Sequence, residues 1–301
     1  MPVRVVIAVV AFFFALRPCA AQLDPQALRA LRDRLDKRAA AIAKTGATFG
    51  IRIITLPEGE PIYSLNAEGL PQNVAAPGGA EAEMRMFAPA SNMKLITTAA
   101  ALDVLGSKHT FDTVFGLRGS DLVVVGSGDP AFGDPGMPGV RSVTEAFVKW
   151  AGILKGKGIT QIDGSLLVDD LVFDDQFVHT DWPRDQLQEW YCAPVGGLNI
   201  NTNCLDVFVD PGRGTGGAPA VRFVPDSDFQ TIVNQAKTGG RANVLGFVHG
   251  SRPGEIVMRG TAAAANSAAY TVAVQDPVLL FAGSLAKVLS DNGIKVVGGI
   301  K

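Results

Sequence analysis

Glycine and proline limit what this chain can fold into more than any other feature. They account for 34 and 18 of its 301 residues, above the ~12% that the two contribute together on average. A chain interrupted this often favours turns joining short strands over a helical bundle. With 47% of its residues apolar it can still bury a sizeable core, which excludes disorder, collagen and coiled coil. The length suits one large domain or two ordinary ones. A net charge of −2 leaves no basic footprint for nucleic acid, and three histidines and three cysteines supply little for a metal cluster.

Residues 1–21 have the pattern of a secretory signal. Arg4 provides the positive start, Val5–Leu16 is uninterruptedly apolar, and Cys19-Ala20-Ala21 before Gln22 offers small residues for cleavage. The run is too short to span a bilayer comfortably, and no other stretch reaches the ~18 apolar residues a membrane helix needs. Leu16-Arg17-Pro18-Cys19 can also be aligned with a lipoprotein acylation box, although Arg and Pro are poor residues there. The expectation is an exported, periplasmic chain with no membrane span. Cys192 and Cys204 then meet an oxidising compartment, where a disulfide closing their 13-residue segment would stabilise by roughly 3 kcal/mol. The alternative is two buried free thiols. Neither cysteine has a partner at zinc spacing, and His109, His179 and His249 are scattered singly, as surface residues are.

Residues 24–44 carry Leu28, Leu31, Leu35 and Ile42 amid charges, which predicts an amphipathic surface helix. Phe49–Ile54 and Ile62–Leu65 flank turn chemistry and predict a hairpin; 66–86 reads as loop. Pro89 near the start and Gly106 past the end delimit the next helix, whose apolar residues surround the cylinder, so it is expected to be buried. From about 110 to 275 come short β-like segments (Leu122–Val125, Gly164–Val168, Leu205–Val209, Glu255–Arg259, Tyr270–Val274) and one helix near 142–155. A last helix runs from Asp276-Pro277 to Asn292-Gly293, followed by a strand at 294–300.

Within the helix that follows Pro89, Ser91-Asn92-Met93-Lys94 is a Ser-x-x-Lys element. Residues three apart on a helix have adjacent side chains, so the Ser91 hydroxyl would lie within reach of the Lys94 amine. Burial would favour a neutral amine able to take the serine proton, and the helix N-terminus favours negative charge developing there. The bland alternative is an N-cap serine beside a solvated lysine. Ser284-Leu285-Ala286-Lys287 has the same spacing but lies two turns inside its helix, with no free N-terminus, and is taken as an ordinary helix position.

The string Phe87 to Gly106 resembles the nucleophile segment of the D-alanyl-D-alanine carboxypeptidase/D-alanyl-D-alanine-endopeptidase family, the class C low-molecular-mass penicillin-binding proteins. Further matches follow in family order: Tyr63-Ser64-Leu65-Asn66, Leu122–Val125 with Gly126-Ser127-Gly128-Asp129-Pro130, Gly164–Asp169, Tyr191-Cys192-Ala193-Pro194 and Val274-Gln275-Asp276-Pro277. The resemblance implies that Ser91 is the nucleophile, acylated by a peptide ending in D-Ala-D-Ala or by a β-lactam inhibitor, and Lys94 its general base. Asp169 matches a position near the pocket that receives the amino group of the peptide side chain; its alternative is a turn residue ending a strand. The chemistry implied needs no metal or cofactor, and the implied partners are peptidoglycan stem peptides.

The resemblance also carries departures. The family's Ser-x-Asn and Lys-Thr-Gly elements lie beyond residue 301. Lys237-Thr238-Gly239 follows a helix-like Phe229–Ala236 and reads as a helix C-cap, while Ser290-Asp291-Asn292 ends the last helix; neither is expected to be catalytic. The resemblance implies an α+β fold: an incomplete β-lactamase/transpeptidase-like domain, comprising the nucleophile helix and an N-terminal hairpin, with an inserted β-rich region. Its expected parts are 22–114, an insertion at 115–275 and a return at 276–301. The function expected is a serine-type D-Ala-D-Ala carboxypeptidase/endopeptidase; the alternative is a truncated or degenerate non-catalytic relative that at most binds cell-wall peptide.

Overall fold

The computed structural model of the chain describes residues 24–46, 49–55, 60–65 and 89–301. The secretory signal expected at 1–21 and the loop at 66–86 lie outside the described residues. The chain divides between His109 and Thr110 into two compact units.

In the first unit, helix α1 (Pro25–Ala43) starts where local chemistry predicts. The Asp24 side chain accepts a hydrogen bond from Gln26 N at 3.0 Å, and Pro25 occupies a first-turn position where no N–H is missed. Strands β1 (Ile51–Ile54) and β2 (Pro61–Leu65) pair antiparallel, with Ile51 opposite Leu65 and Ile53 opposite Tyr63. A two-stranded hairpin is marginal alone; here α1 braces it. Arg32 Nε donates to Ile62 O at 2.7 Å and the Tyr63 hydroxyl to Asp36 Oδ1 at 2.7 Å. A single 3-10 turn, Ala90–Asn92, leads into α2 (Met93–Leu105), which ends at Gly106 with φ 80°. The expectation of a buried helix is corrected here: no residue of α2 is buried, and Leu95 and Val104 are 63% and 79% exposed. An all-round apolar helix needs a covering surface, and none of the described residues supplies one.

The second unit holds the core. Strands β3 (Val114–Arg118) and β4 (Asp121–Val125) pair antiparallel, helix α3 (Glu145–Gly156) follows, and after β5 (Gln161–Ile162) strand β6 (Leu166–Asp169) returns parallel to β4. Strands β7 (Cys204–Asp210) and β8 (Ala220–Val224) form an antiparallel hairpin. The sheet that follows contains β9 (Thr231–Asn234), β10 (Lys237–Thr238), β11 (Val244–His249) and β12 (Glu255–Ala262), with β12 paired to all three others. Strand β13 (Tyr270–Ala273) joins β7, helix α4 (Pro277–Asp291) packs on α3 and β6, and β14 (Lys295–Val296) pairs parallel to β5.

One expectation changes in this unit. The helix-like Phe229–Ala236 contains β9, because Thr231, Ile232 and Val233 suit a strand and β12 offers them a parallel partner. Gly239 therefore ends a strand, not a helix. The segment 276–301 contributes to this core: Phe281 of α4 meets Phe147 edge-on at 4.9 Å and lies 5.4 Å from Phe132. Phe147 and Phe281 are fully buried, and Trp150 stacks on Phe115 at 4.7 Å. The loss of one such ring from a packed core costs about 3–5 kcal/mol. A Phe147→Ala variant should lose stability in that range by urea denaturation; a loss under about 1 kcal/mol would mean that this cluster is not the core's anchor.

Candidate active site

Ser91 lies in the 3-10 turn that opens α2, and Lys94 in the first turn of the helix. Lys94 Nζ donates to Ser91 Oγ at 3.4 Å, so the three-residue spacing does bring the amine to the hydroxyl. Asn92 N donates to Pro89 O at 2.9 Å, which holds the turn that presents the serine. Both side chains are exposed. The second Ser-x-x-Lys forms no such pair: Ser284 is fully buried without a hydrogen-bond partner, and Lys287 binds Asp291 at 2.6 Å.

Asp169 ends β6 in the second unit. Its Oδ1 accepts from Leu171 N at 3.1 Å, the geometry of a turn-forming aspartate, and the residue is half-buried. Around it two of the segments that carried the family resemblance, 122–130 and 164–169, meet the segment 197–199. Gly126 N donates to Asp169 O at 2.9 Å, Gly128 N to Gly197 O at 2.8 Å, and Asn199 Nδ2 to Asp129 O at 3.0 Å. The glycines are required by contact: a Cβ on Gly126 would overlap Gly197 O, and one on Gly197 would overlap Asp170 O. Burial pushes the Asp170 carboxyl up, with added repulsion from Asp175, Asp276 and Asp169. From Asp169 to Glu189 the sequence has seven carboxylates against one cation, Arg184. Beside them Trp190 and Tyr191 are exposed and meet edge to face at 5.7 Å.

The disulfide expected between Cys192 and Cys204 is not formed; both are buried free thiols. Strand β13 explains the separation. It takes Glu189 as a bridge partner on one side, through Val272, while Ala273 pairs with Cys204 on the other. The Cys204 thiol turns instead to Thr202 O at 3.5 Å. What holds the 192–204 segment is a set of buried asparagines that sequence inspection passed over. Asn199 Oδ1 accepts from Asn203 Nδ2 at 2.7 Å, which also donates to Pro194 O at 2.8 Å, and Asn201 Nδ2 donates to Cys204 O at 3.1 Å. Asn201, Thr202 and Asn203 all have φ between 50° and 57°, a left-handed run that asparagine tolerates better than most residues. The Asn-x-Asn-x-Asn spacing was the available signal.

The fold of the chain is similar to that of a penicillin-binding protein of known structure. Penicillin binding protein 4 (dacB) from Haemophilus influenzae is similar with a TM-score of 0.62 at 20% identity, over 83% of this chain and 52% of that one. The same protein complexed with a novel β-lactam gives 0.56 at 18% identity, over 84% and 50%. In sequence, the D-alanyl-D-alanine carboxypeptidase of Actinomadura sp. (strain R39) is 29% identical over 302 residues, which are 94% of this chain and 51% of that protein. The D-Ala-D-Ala carboxypeptidase 3 (S13) family matches residues 79–301, and the chain belongs to that family. It spans about half the length of the relatives it matches.

Burial pushes the Cys204 thiol up to about 12. Between the ordinary thiol value and 12 the folded state keeps a proton that the unfolded chain has released, so the unfolded state binds fewer protons and stability falls as pH rises. The slope is at most ~1.4 kcal/mol per pH unit. Urea denaturation from pH 8.5 to 10.5 should show the native protein losing stability relative to Cys204→Ala; a constant difference between the two across that range would refute the burial of this thiol.

Proposed function

We propose that this chain carries the nucleophile of a serine-type D-Ala-D-Ala carboxypeptidase acting on peptidoglycan peptides, and that it is penicillin-binding. The observation that carries the proposal is the Lys94 Nζ to Ser91 Oγ hydrogen bond at the opening of α2, in a chain of the S13 family. Ser91 Oγ attacks the carbonyl carbon of the penultimate D-Ala as Lys94 takes the hydroxyl proton. The tetrahedral oxyanion forms beside the N-terminus of α2, whose free N–H groups favour negative charge. Collapse breaks the C–N bond, the leaving amine receives the proton from Lys94, and D-Ala departs from an acyl-Ser91 ester. Water then adds to the ester, giving its proton back through Lys94, and frees Ser91. A cross-linked chain leaving in place of D-Ala makes the same steps an endopeptidase reaction.

Asp169 is the proposed recipient of the peptide side-chain amino group. The excess of carboxylates from Asp169 to Glu189 supports that role, because it favours a cation in their midst. The relatives, a D-alanyl-D-alanine carboxypeptidase and a penicillin-binding protein complexed with a β-lactam, support the substrate class. An enzyme working on peptidoglycan also agrees with the export expected of residues 1–21.

A second reading, a non-catalytic relative that binds cell-wall peptide, is favoured by one observation: α2 and Lys94 are exposed, whereas a serine activated by a neutral amine profits from a dry surrounding. Labelled penicillin separates the two. The purified chain should form a covalent adduct that disappears in Ser91→Ala and falls by at least 100-fold in rate in Lys94→Ala; no adduct in the unsubstituted chain would establish the non-catalytic reading.

A further inference from the structure

The charges of the second unit are sorted along the chain. Residues 161–210 hold ten carboxylates against Arg184 alone, whereas 211–275 hold Arg213, Arg222, Lys237, Arg241, Arg252 and Arg259 against Asp226, Asp228 and Glu255. Those three acids are partly spent: Arg252 Nη2 reaches Glu255 Oε2 at 2.8 Å, and Lys287 lies 3.8 Å from Asp226. Arg213, Lys237, Arg241 and Arg259 meet no carboxylate within 4 Å among the described residues.

The sheet formed by β9 to β12 brings Lys237 and Arg259 to one side. Side chains alternate across a sheet, and the inward set is Ala236, Thr238, Ile256, Met258 and Ala262, all buried. The outward set therefore includes Lys237 on β10 and Glu255, Val257, Arg259 and Thr261 on β12, with Lys237 in register with Thr261; Glu255 is paired with Arg252. Gln235 confirms the placement by accepting from Arg259 Nε at 3.0 Å. On the other side of β12, Val244 pairs with Thr261 and Gly246 with Arg259. Arg241 follows β10 after Gly239 and Gly240, and the glycine-rich loop bearing Arg213 is tied to Thr238 through Gly216 and Gly217 at 2.8 and 2.7 Å. The result is a sheet face on which Lys237 and Arg259 stand among valine, threonine and glycine, with Arg241 and Arg213 on adjoining loops.

We propose that this face is a docking surface for a linear phosphodiester polymer with a flexible, base-free backbone. Charge selects a polyanion, and cations spread over adjacent strands and loops select an extended one. The sheet face presents no aromatic platform on which nucleic-acid bases could stack. Its exposed large apolar residues are Val244 and Val248, too few for the desolvated anchors that a protein interface needs. Lys237 and Arg259 are diagonal neighbours on adjacent strands, on the order of 8 Å apart, a separation that successive phosphates of an extended chain can bridge.

The test uses the full chain and fluorescent poly(glycerol phosphate), read by anisotropy. The expected result is binding that weakens at least tenfold between about 50 mM and 500 mM salt, as screened surface charges require, and at least tenfold in the triple variant Lys237→Ala, Arg241→Ala, Arg259→Ala. Lys155→Ala with Lys157→Ala, on α3, should bind as the unsubstituted chain does, and glycerol phosphate monomer should not compete. The triple variant should keep its melting temperature and its penicillin labelling at Ser91, so failure here is distinct from failure of the proposed acyl transfer. Unchanged binding by the triple variant, or no binding at all, overturns the proposal. So does tighter binding of single-stranded DNA of equal charge, or a salt-sensitive doubling of mass on sedimentation, which would assign the face to nucleic acid or to a second copy.

Discussion

Three backbone segments cross within van der Waals contact at Gly126, Gly197 and Asp170, and much of the second unit takes its geometry from that crossing. A side chain at either glycine would displace a carbonyl and with it the end of β4 or β6. The backbone groups at the crossing have partners in one another, Gly126 N with Asp169 O and Gly128 N with Gly197 O, as buried polar groups must. The asparagines extend the arrangement: Asn199 and Asn203 use their amides to hold a chain segment whose left-handed residues form no regular ladder. The polar network thus takes the place that a disulfide was expected to fill. It does so with hydrogen bonds that exist only when the fold is complete, whereas a covalent link would also have constrained the unfolded chain.

The candidate nucleophile depends on a different kind of constraint. Helical spacing is enough to set the Lys94 amine against the Ser91 hydroxyl, and a turn of 3-10 helix is enough to present the serine at a helix N-terminus. Tuning that pair requires low polarity around it, a property of the surroundings rather than of the helix. The contrast with Ser284 is instructive. That serine has the burial that Ser91 lacks, but it sits mid-helix with its lysine turned to Asp291, so burial without position yields no nucleophile.

Electrostatically, the second unit is two regions joined in one chain. The carboxylates of 161–210 include Asp169 and Asp170 at the end of β6, where burial, with added repulsion from Asp175, Asp276 and Asp169, makes Asp170 harder to ionise than usual. Lys237 and Arg259 of the β9–β12 sheet face outward, with no carboxylate within 4 Å among the described residues. A near-zero net charge conceals both, because the sum over a chain says nothing about where charges lie.

Helix ends, the hairpin of β1 and β2 and the Ser91–Lys94 pair were legible in the sequence because the interactions that form them span a few residues: Asp24 and Asp276 cap their own helices, and Gly106 and Gly293 end theirs with positive φ. The family's motifs were legible as ordered strings for the same reason. Phe229–Ala236 was misjudged because its partner β12 begins some twenty residues later, and strand formation depends on that partner. The separation of Cys192 from Cys204 depends on β13, more than sixty residues onward, and the exposure of α2 depends on what surface faces it. By itself, the sequence determined where elements start and stop and which side chains share a helical turn, since backbone dihedrals and near-neighbour hydrogen bonds decide those. Only the tertiary structure decided which surfaces are covered, which thiols are kept apart and where charge accumulates, because burial and long-range pairing are properties of the packed chain.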